Sequence, residues 1–218
     1  MRIDVVSDVA CPWCAIGVSA LERALVRIGG DLGDLDVHLQ PFELNPTMGP
    51  EGADAAQYLS EKYGLGPAEL AANRARIAER GAAEGFVFGT RSHVWNTFDA
   101  HRLLTWAEAE GPPGAQRALK KALLAAYHGE DRNISSAEVL LDLAAKAGLP
   151  AERAREILER GEFAEQVRQA ERFWQGIGIH SVPAVIVDRK HLISGGQPSE
   201  VFEQALRQIA AENAAPQR

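Results

Sequence analysis

The two cysteines of this 218-residue chain fall in a single tetrapeptide, Cys11-Pro12-Trp13-Cys14. The stretch before it, Ile3-Asp4-Val5-Val6-Ser7-Asp8, is short, β-branched and bounded by polar residues, the pattern of a buried strand. The residues after it, 10–28, carry Ile16, Leu21, Leu25 and Ile28 on about one helical face and close on Gly29-Gly30, as a helix end prefers. A strand that passes through a Cys-x-x-Cys into a helix puts Cys11 at the helix N-terminus, where free N–H groups and the helix dipole favour an anion. Pro12 suits the first turn, because its missing N–H would have had no partner there. The thiolate is the reactive form of cysteine, and such a setting lowers a thiol pKa from about 8.5 into the range of about 3.5–7.5. Cys14, one turn deeper, is expected to be more buried, to have the higher pKa and to act as the resolving thiol. Dithiol exchange is therefore the favoured reading, and two others stay open on the residues alone. Half a zinc site lacks a second ligand pair, since the six histidines are scattered at 38, 93, 101, 128, 180 and 191. A structural disulfide across so short a loop stabilises little.

The rest of the chain predicts where that helix sits. Residues 36–44 alternate apolar and polar as a second strand, and Pro41, which cannot donate a ladder hydrogen bond, pushes that strand toward an edge or its end into a bulge. Strand, helix, strand at this spacing is a βαβ unit with parallel strands. From about 54 to 176 Ala, Glu, Arg, Leu and Gln dominate, with Gly/Pro breaks at 64–67, 111–114 and 148–150 that divide the block into several helices. Strand character returns at 182–187, turns at 188–190 into 191–194, and leads to a helix from Ser199 to about Ala211. The expected architecture is α/β, βαβ then ββα, with residues 1–47 and 177–212 in the sheet domain. Residues 48–176 form a large all-helical insertion, and 213–218 a frayed tail.

Composition bounds the setting. With 46% hydrophobic residues, a chain of this length buries a real core without a disulfide framework. Its 23 cations against 30 anions, net −7, argue against nucleic-acid binding, which needs clustered Lys and Arg. No uncharged apolar run of about 18 residues exists, so no membrane association is expected. Asp4 near the start, with no apolar stretch behind it, reads against an export signal, and a cytoplasmic location is expected.

Strand, Cys-Pro-Trp-Cys helix, strand, long helical block, then Ser181-Val182-Pro183 before a hairpin and helix resembles the DsbA branch of the thioredoxin superfamily. Asp8-Val9-Ala10 before the cysteines, Pro41-Phe42-Glu43-Leu44-Asn45-Pro46, Asn96-Thr97 with Ala100-His101, and Ile179 with Val182-Pro183 resemble the FrnE-type dithiol–disulfide isomerases. The resemblance covers nearly the full chain. It implies a thioredoxin fold and a cis Val182–Pro183 bond packed beside Cys11. It also implies that the Val182 backbone pairs with an extended substrate, a mode that tolerates varied sequences.

Two departures matter. Thioredoxin relatives keep a buried acid six residues before the nucleophile; here that position is Val5, with Asp4 on the other face of the strand. Proton handling at Cys14 then falls to water or another group, with Asp8 and Glu43 as candidates. A second cysteine pair near the C-terminus, present in some FrnE-type proteins, is absent. A sister group, the kappa-class glutathione transferases and 2-hydroxychromene-2-carboxylate isomerases, has serine where this chain has Cys11. Its glutathione-holding loop corresponds to Ser194-Gly195-Gly196-Gln197-Pro198, which lacks that group's acid–base pair.

The expected function is thus a thiol–disulfide oxidoreductase or isomerase with Cys11 as nucleophile, Cys14 resolving and Pro183 shaping the groove. Pro12, Trp13, Val182 and Gly196 are expected to contact substrate. So are Asn96 and His101, with Trp95, on a helix start that either faces Cys11 or packs the insertion onto the sheet. Partners are disulfide-bearing proteins or small thiols and disulfides. No cofactor or metal is expected, glutathione excepted as reductant or ligand. A glutathione-binding transferase or isomerase and a chaperone-like binding module remain the alternatives, and the Ala-rich helices leave a homodimer open. Gly176-Ile177-Gly178 precedes a strand rather than a helix and carries no dinucleotide-loop reading. Lys120-Lys121 is expected on a solvated helix face.

Overall fold

Strand β1 (Arg2–Ser7) is buried from residue 3 to residue 7, so both of its faces are covered. In the computed structural model, which describes residues 1–214, it lies inside a four-stranded sheet of order β2-β1-β5-β6. β2 (Asp36–Pro41) pairs with β1 in parallel from Arg2 opposite Asp36 to Ser7 opposite Pro41. β5 (Ala184–Val187) runs antiparallel to β1 with Val185 opposite Val5, and β6 (His191–Ser194) antiparallel to β5 with Ile193 opposite Val185. The parallel unit and the final hairpin are those the sequence predicts, and of the two outcomes Pro41 allows, β2 takes the edge position. α1 (Pro12–Ile28) crosses between β1 and β2 and ends at Gly29, whose φ of 55° is one that a Cβ disfavours and whose N–H closes on Leu25 O.

Between β2 and β5 the chain forms α2 (Ala55–Tyr63), α3 (Pro67–Ala83), α4 (Phe98–Glu110), α5 (Ala115–His128), α6 (Ala137–Lys146), α7 (Ala151–Arg160) and α8 (Ala164–Gly176). The three Gly/Pro breaks separate α2 from α3, α4 from α5 and α6 from α7. The insertion is not wholly helical: β3 (Ala53–Asp54) pairs antiparallel with β4 (His93–Val94). Two residues per strand are too few to show alternation in the sequence. The last helix, α9 (Ser199–Ala214), packs on α1 and runs past the expected end at 211. Residues 213 and 214, expected in a frayed tail, are therefore helical, and 215–218 lie outside the described residues.

One buried cluster joins Ile3, Val5 and Ala20 of the sheet segment to Leu103, Leu119 and Tyr127 of the insertion. The insertion thus covers the sheet with its own apolar side chains. Buried Arg102 of α4 ties helices together inside it, donating to Ile157 O and Glu162 O and pairing with Asp99.

Candidate active site

Between β1 and α1 the chain turns through four residues whose geometry is set by Asp8. Its Oδ1 accepts the Ala10 N–H at 3.1 Å and its Oδ2 the Leu44 N–H at 2.7 Å, so one buried carboxylate holds the turn and the chain leaving β2. Cys11 follows as the extended N-cap of α1, with Pro12 in the first turn, and its carbonyl accepts from Cys14 N at 3.1 Å and Ala15 N at 3.3 Å. Both cysteines are free thiols, Cys11 4% exposed and Cys14 fully buried.

Their surroundings push the two thiols apart. The hydrogen bond from the Cys14 thiol brings Cys11 below the ordinary thiol value against burial, and the Cys14 and Trp13 N–H groups at the helix start add to it. Burial, followed by the neighbouring Cys11, drives Cys14 well above that value. The more acidic sulfur, that of Cys11, is also the less buried of the two, and thiolate character with access is what makes a cysteine reactive. Cys11 Sγ lies 3.7 Å from Val182 O, just before the cis Val182–Pro183 bond. α1 approaches this loop through Gly17, where a Cβ would come within 2.9 Å of Pro183 Cγ and 3.4 Å of Gly196 Cα.

Two cavities lie on either side of Trp13 and Val182, and Cys11 lines one of them. One of about 870 Å³ is bounded by Cys11, Trp13 and Val182, with Tyr58, Leu70 and Phe88 of the insertion opposite. The other, about 620 Å³, lies among Trp13, Pro183 and Gly196, with Arg76 and Arg80 on its rim. Arg76 sits over the Trp13 ring, and Arg80 donates to Gly196 O at 3.3 Å. The expected contacts Pro12, Trp13, Val182, Pro183 and Gly196 therefore gather around the nucleophile.

Asn96 and His101 do not. Asn96 donates to Met48 O and its Oδ1 accepts from Phe98 N at 2.8 Å, which fastens the start of α4. His101 is 1% exposed, its Nε2 3.3 Å from Asp8 Oδ1, and neither residue lines either cavity. Trp95 stacks on His93 instead, with ring centroids 4.8 Å apart. Of these only His101 lies on α4, where helix periodicity turns it to the inner face that meets the back of the Asp8 turn, while Trp95 and Asn96 precede the helix. Burial raises the Asp8 carboxyl, but the hydrogen bond and charge of His101 outweigh it and hold Asp8 below its usual value. Glu43, the other acid considered for proton handling, pairs with Arg168 of α8.

Lys120 is a correction. It is 1% exposed, and its Nζ donates to Ser7 O at 3.2 Å; only Lys121 faces solvent. The signal was present in the sequence. Leu123, Leu124 and Tyr127 stand three, four and seven residues on, so position 120 shares their buried face. His128 was likewise missed; its Nε2 lies 2.8 Å from Val9 O, and burial takes its pKa down to about 3. Among the described residues no three His, Cys, Asp or Glu are placed to hold a metal.

The sequence matches the family described as DSBA-like thioredoxin domain over residues 2–207. A crystal structure from Streptomyces coelicolor, described as a probable DsbA oxidoreductase, is similar with a TM-score of 0.89 and 35% identity, over 100% of this chain and 93% of that one. The cytosolic disulfide reductase DsbM of Pseudomonas aeruginosa, solved with GSH, shares the fold at a TM-score of 0.65 and 24% identity, over 96% of this chain and 99% of that one. The uncharacterized protein YwbO of Bacillus subtilis is 26% identical over 94% of this chain and 96% of its own length.

Proposed function

This chain belongs to the DSBA-like thioredoxin domain family, and from that premise we propose that it catalyses dithiol–disulfide exchange through Cys11 and Cys14. The observation that carries the reading is the opposed tuning of the two thiols, with the more acidic one lining the larger cavity beside the Val182 carbonyl. The Cys11 thiolate attacks one sulfur of a substrate disulfide, whose other sulfur leaves with the electron pair of the broken bond. Cys14 then attacks Cys11, and the second substrate sulfur leaves as a thiol. The substrate disulfide is reduced by two electrons and the enzyme pair oxidised; a thiol reductant restores it. If a second substrate thiol attacks the mixed disulfide first, bonds are exchanged with no net redox change, which is isomerisation. Val182 offers its backbone to an extended substrate, so protein disulfides and small disulfides both fit this chemistry.

A second reading concerns glutathione. Arg76 and Arg80 beside Trp13, Pro183 and Gly196 suit a carboxylate-bearing thiol with its sulfur toward Cys11, and DsbM is solved with GSH. Both observations support glutathione as a reductant or ligand of this chain, and its abundance in the cytoplasm supports that compartment as the place of work.

The test is the pH dependence of Cys11 alkylation together with insulin reduction. A midpoint clearly below about 8.5 with turnover is expected. An ordinary thiol midpoint without turnover would put a chaperone-like binding role first. Retained activity of a glutathione-binding Cys11→Ser variant would put a transferase role first.

A further inference from the structure

Four consecutive residues ahead of the nucleophile are each held by a basic side chain from the insertion. Lys120 donates to Ser7 O at 3.2 Å, His101 meets the Asp8 carboxylate at 3.3 Å, His128 contacts Val9 O at 2.8 Å, and Arg91 donates to Ala10 O at 3.2 Å. Three of these groups have a partner or an outlet that accounts for them: His101 has the Asp8 carboxylate, His128 is held neutral, and Arg91 reaches the cavity and the Tyr127 ring. Lys120 has neither. It is 1% exposed, and among the described residues it makes one hydrogen bond and no ion pair with a carboxylate. Buried Arg102, by contrast, has Asp99. An ammonium sealed in apolar surroundings is costly unless a negative charge comes to it.

Asp8 is a standing negative charge nearby, but its oxygens are taken by Ala10, Leu44 and His101, and the group that can bring a further charge is Cys14. The Ser7–Asp8 peptide unit stands between them, its carbonyl on Lys120 Nζ and its N–H toward the Cys14 thiol. A cation on the oxygen of a peptide strengthens the N–H at its other end as a donor. We propose that Lys120 is the counter-charge of the Cys14 thiolate, a positioning residue that steadies the resolving sulfur as an anion while it attacks the mixed disulfide. This rests on the exchange reading above. In that step the Cys14–Cys11 bond forms, the Cys11–substrate bond breaks, and its electron pair leaves with the substrate sulfur. That sulfur takes up the proton Cys14 lost, and Lys120 keeps its own proton throughout.

The charged and titratable groups facing Lys120 are Cys14 and Cys11 of the α1 start, Asp8 with its His101, and His128 at the far end of α5. Burial lowers Lys120, while Cys14, Asp8 and Cys11 raise it, so oxidising the pair removes two of its three favourable neighbours.

Two measurements test this. In the unaltered protein with 13Cε-labelled lysine, Lys120 is titrated by NMR with the pair chemically reduced and then chemically oxidised. A higher midpoint in the reduced form is expected, and equal midpoints overturn the proposal. Because the redox states are set chemically, this result stands apart from whether the protein turns over any disulfide. In the second, Lys120→Met and Lys120→Gln are loaded at Cys11 with 2-nitro-5-thiobenzoate, and its release is followed across pH. Both variants are expected to release it roughly tenfold slower at neutral pH, with the midpoint raised by about one unit, the rate equivalent of that shift. Lower melting temperatures in both redox forms with an unmoved pH midpoint would make the lysine purely structural. Wild-type release by Lys120→Gln, which keeps a donor for Ser7 O, would assign the effect to the hydrogen bond; either result overturns the proposal. Should neither variant fold, the titration decides.

Discussion

Cys11 and Cys14 have the same chemistry and lie one helical turn apart; only their surroundings separate the nucleophile from the resolving thiol in the proposed exchange. Cys14→Ser is expected to leave attack intact and to accumulate the mixed disulfide at Cys11, seen by mass spectrometry, whereas Cys11→Ser traps nothing. Trapping at residue 14 in the Cys11→Ser variant would reverse the assignment. His128 gives a second residue-scale prediction. Burial holds it neutral down to about pH 3, while the unfolded chain protonates it near 6.5. Between these values the unfolded state binds the extra proton, so stability falls on acidification by up to about 1.4 kcal/mol per pH unit. Urea midpoints between pH 6 and pH 4 measure that slope, and His128→Gln is expected to flatten it. The position of Cys11 at a helix start was legible because helix-start signals are local. The place of His101 was not, because periodicity tells which side chains turn inward but not what they meet.

At the scale of elements, the turn between β1 and α1 depends on one carboxylate. Asp8→Ala leaves the Ala10 and Leu44 N–H groups without their acceptor and removes the partner of His101. A loss of about 2–4 kcal/mol is expected from charge-assisted hydrogen bonds of this kind, measured by chemical denaturation. A loss under about 0.5 kcal/mol would show that water replaces them. The contact of α1 with the Val182–Pro183 loop is a matter of space instead. In Gly17→Ala the added methyl meets the Pro183 ring at 2.9 Å, and a ring cannot swing aside. The variant is expected to push that loop away from Cys11 and slow exchange with an extended peptide disulfide more than with a small one. Equal slowing for both would place the damage in α1 itself. Glycine at position 17 carries no special backbone angle, so the sequence shows nothing unusual there.

The whole molecule is built so that the insertion completes the site. Its side chains share one buried cluster with the sheet, and four of them hold the residues before Cys11. A core continuous across both segments predicts a single unfolding transition, with far-UV and near-UV signals coinciding along a urea curve. Two separated transitions would mean that the insertion melts by itself. The expected division into residues 1–47 with 177–212 and residues 48–176 describes the order of the chain; the buried cluster crosses that division.

The sequence by itself determined the order of the four main strands with α1 and α9, the reach of α1 and the cysteine pair at its start, and through Pro41 it narrowed β2 to an edge or a bulged end. These follow from hydrophobic period, from proline's missing N–H and from helix-end electrostatics, all of which act within a few residues. Only the tertiary structure decided that Asn96 and His101 stand away from the cavities, that Arg76 and Arg80 border one of them, and that Lys120 lies buried behind Cys14. Those placements bring together residues about fifty to about a hundred and twenty positions apart, and no local pattern encodes the side chain that a buried face will meet.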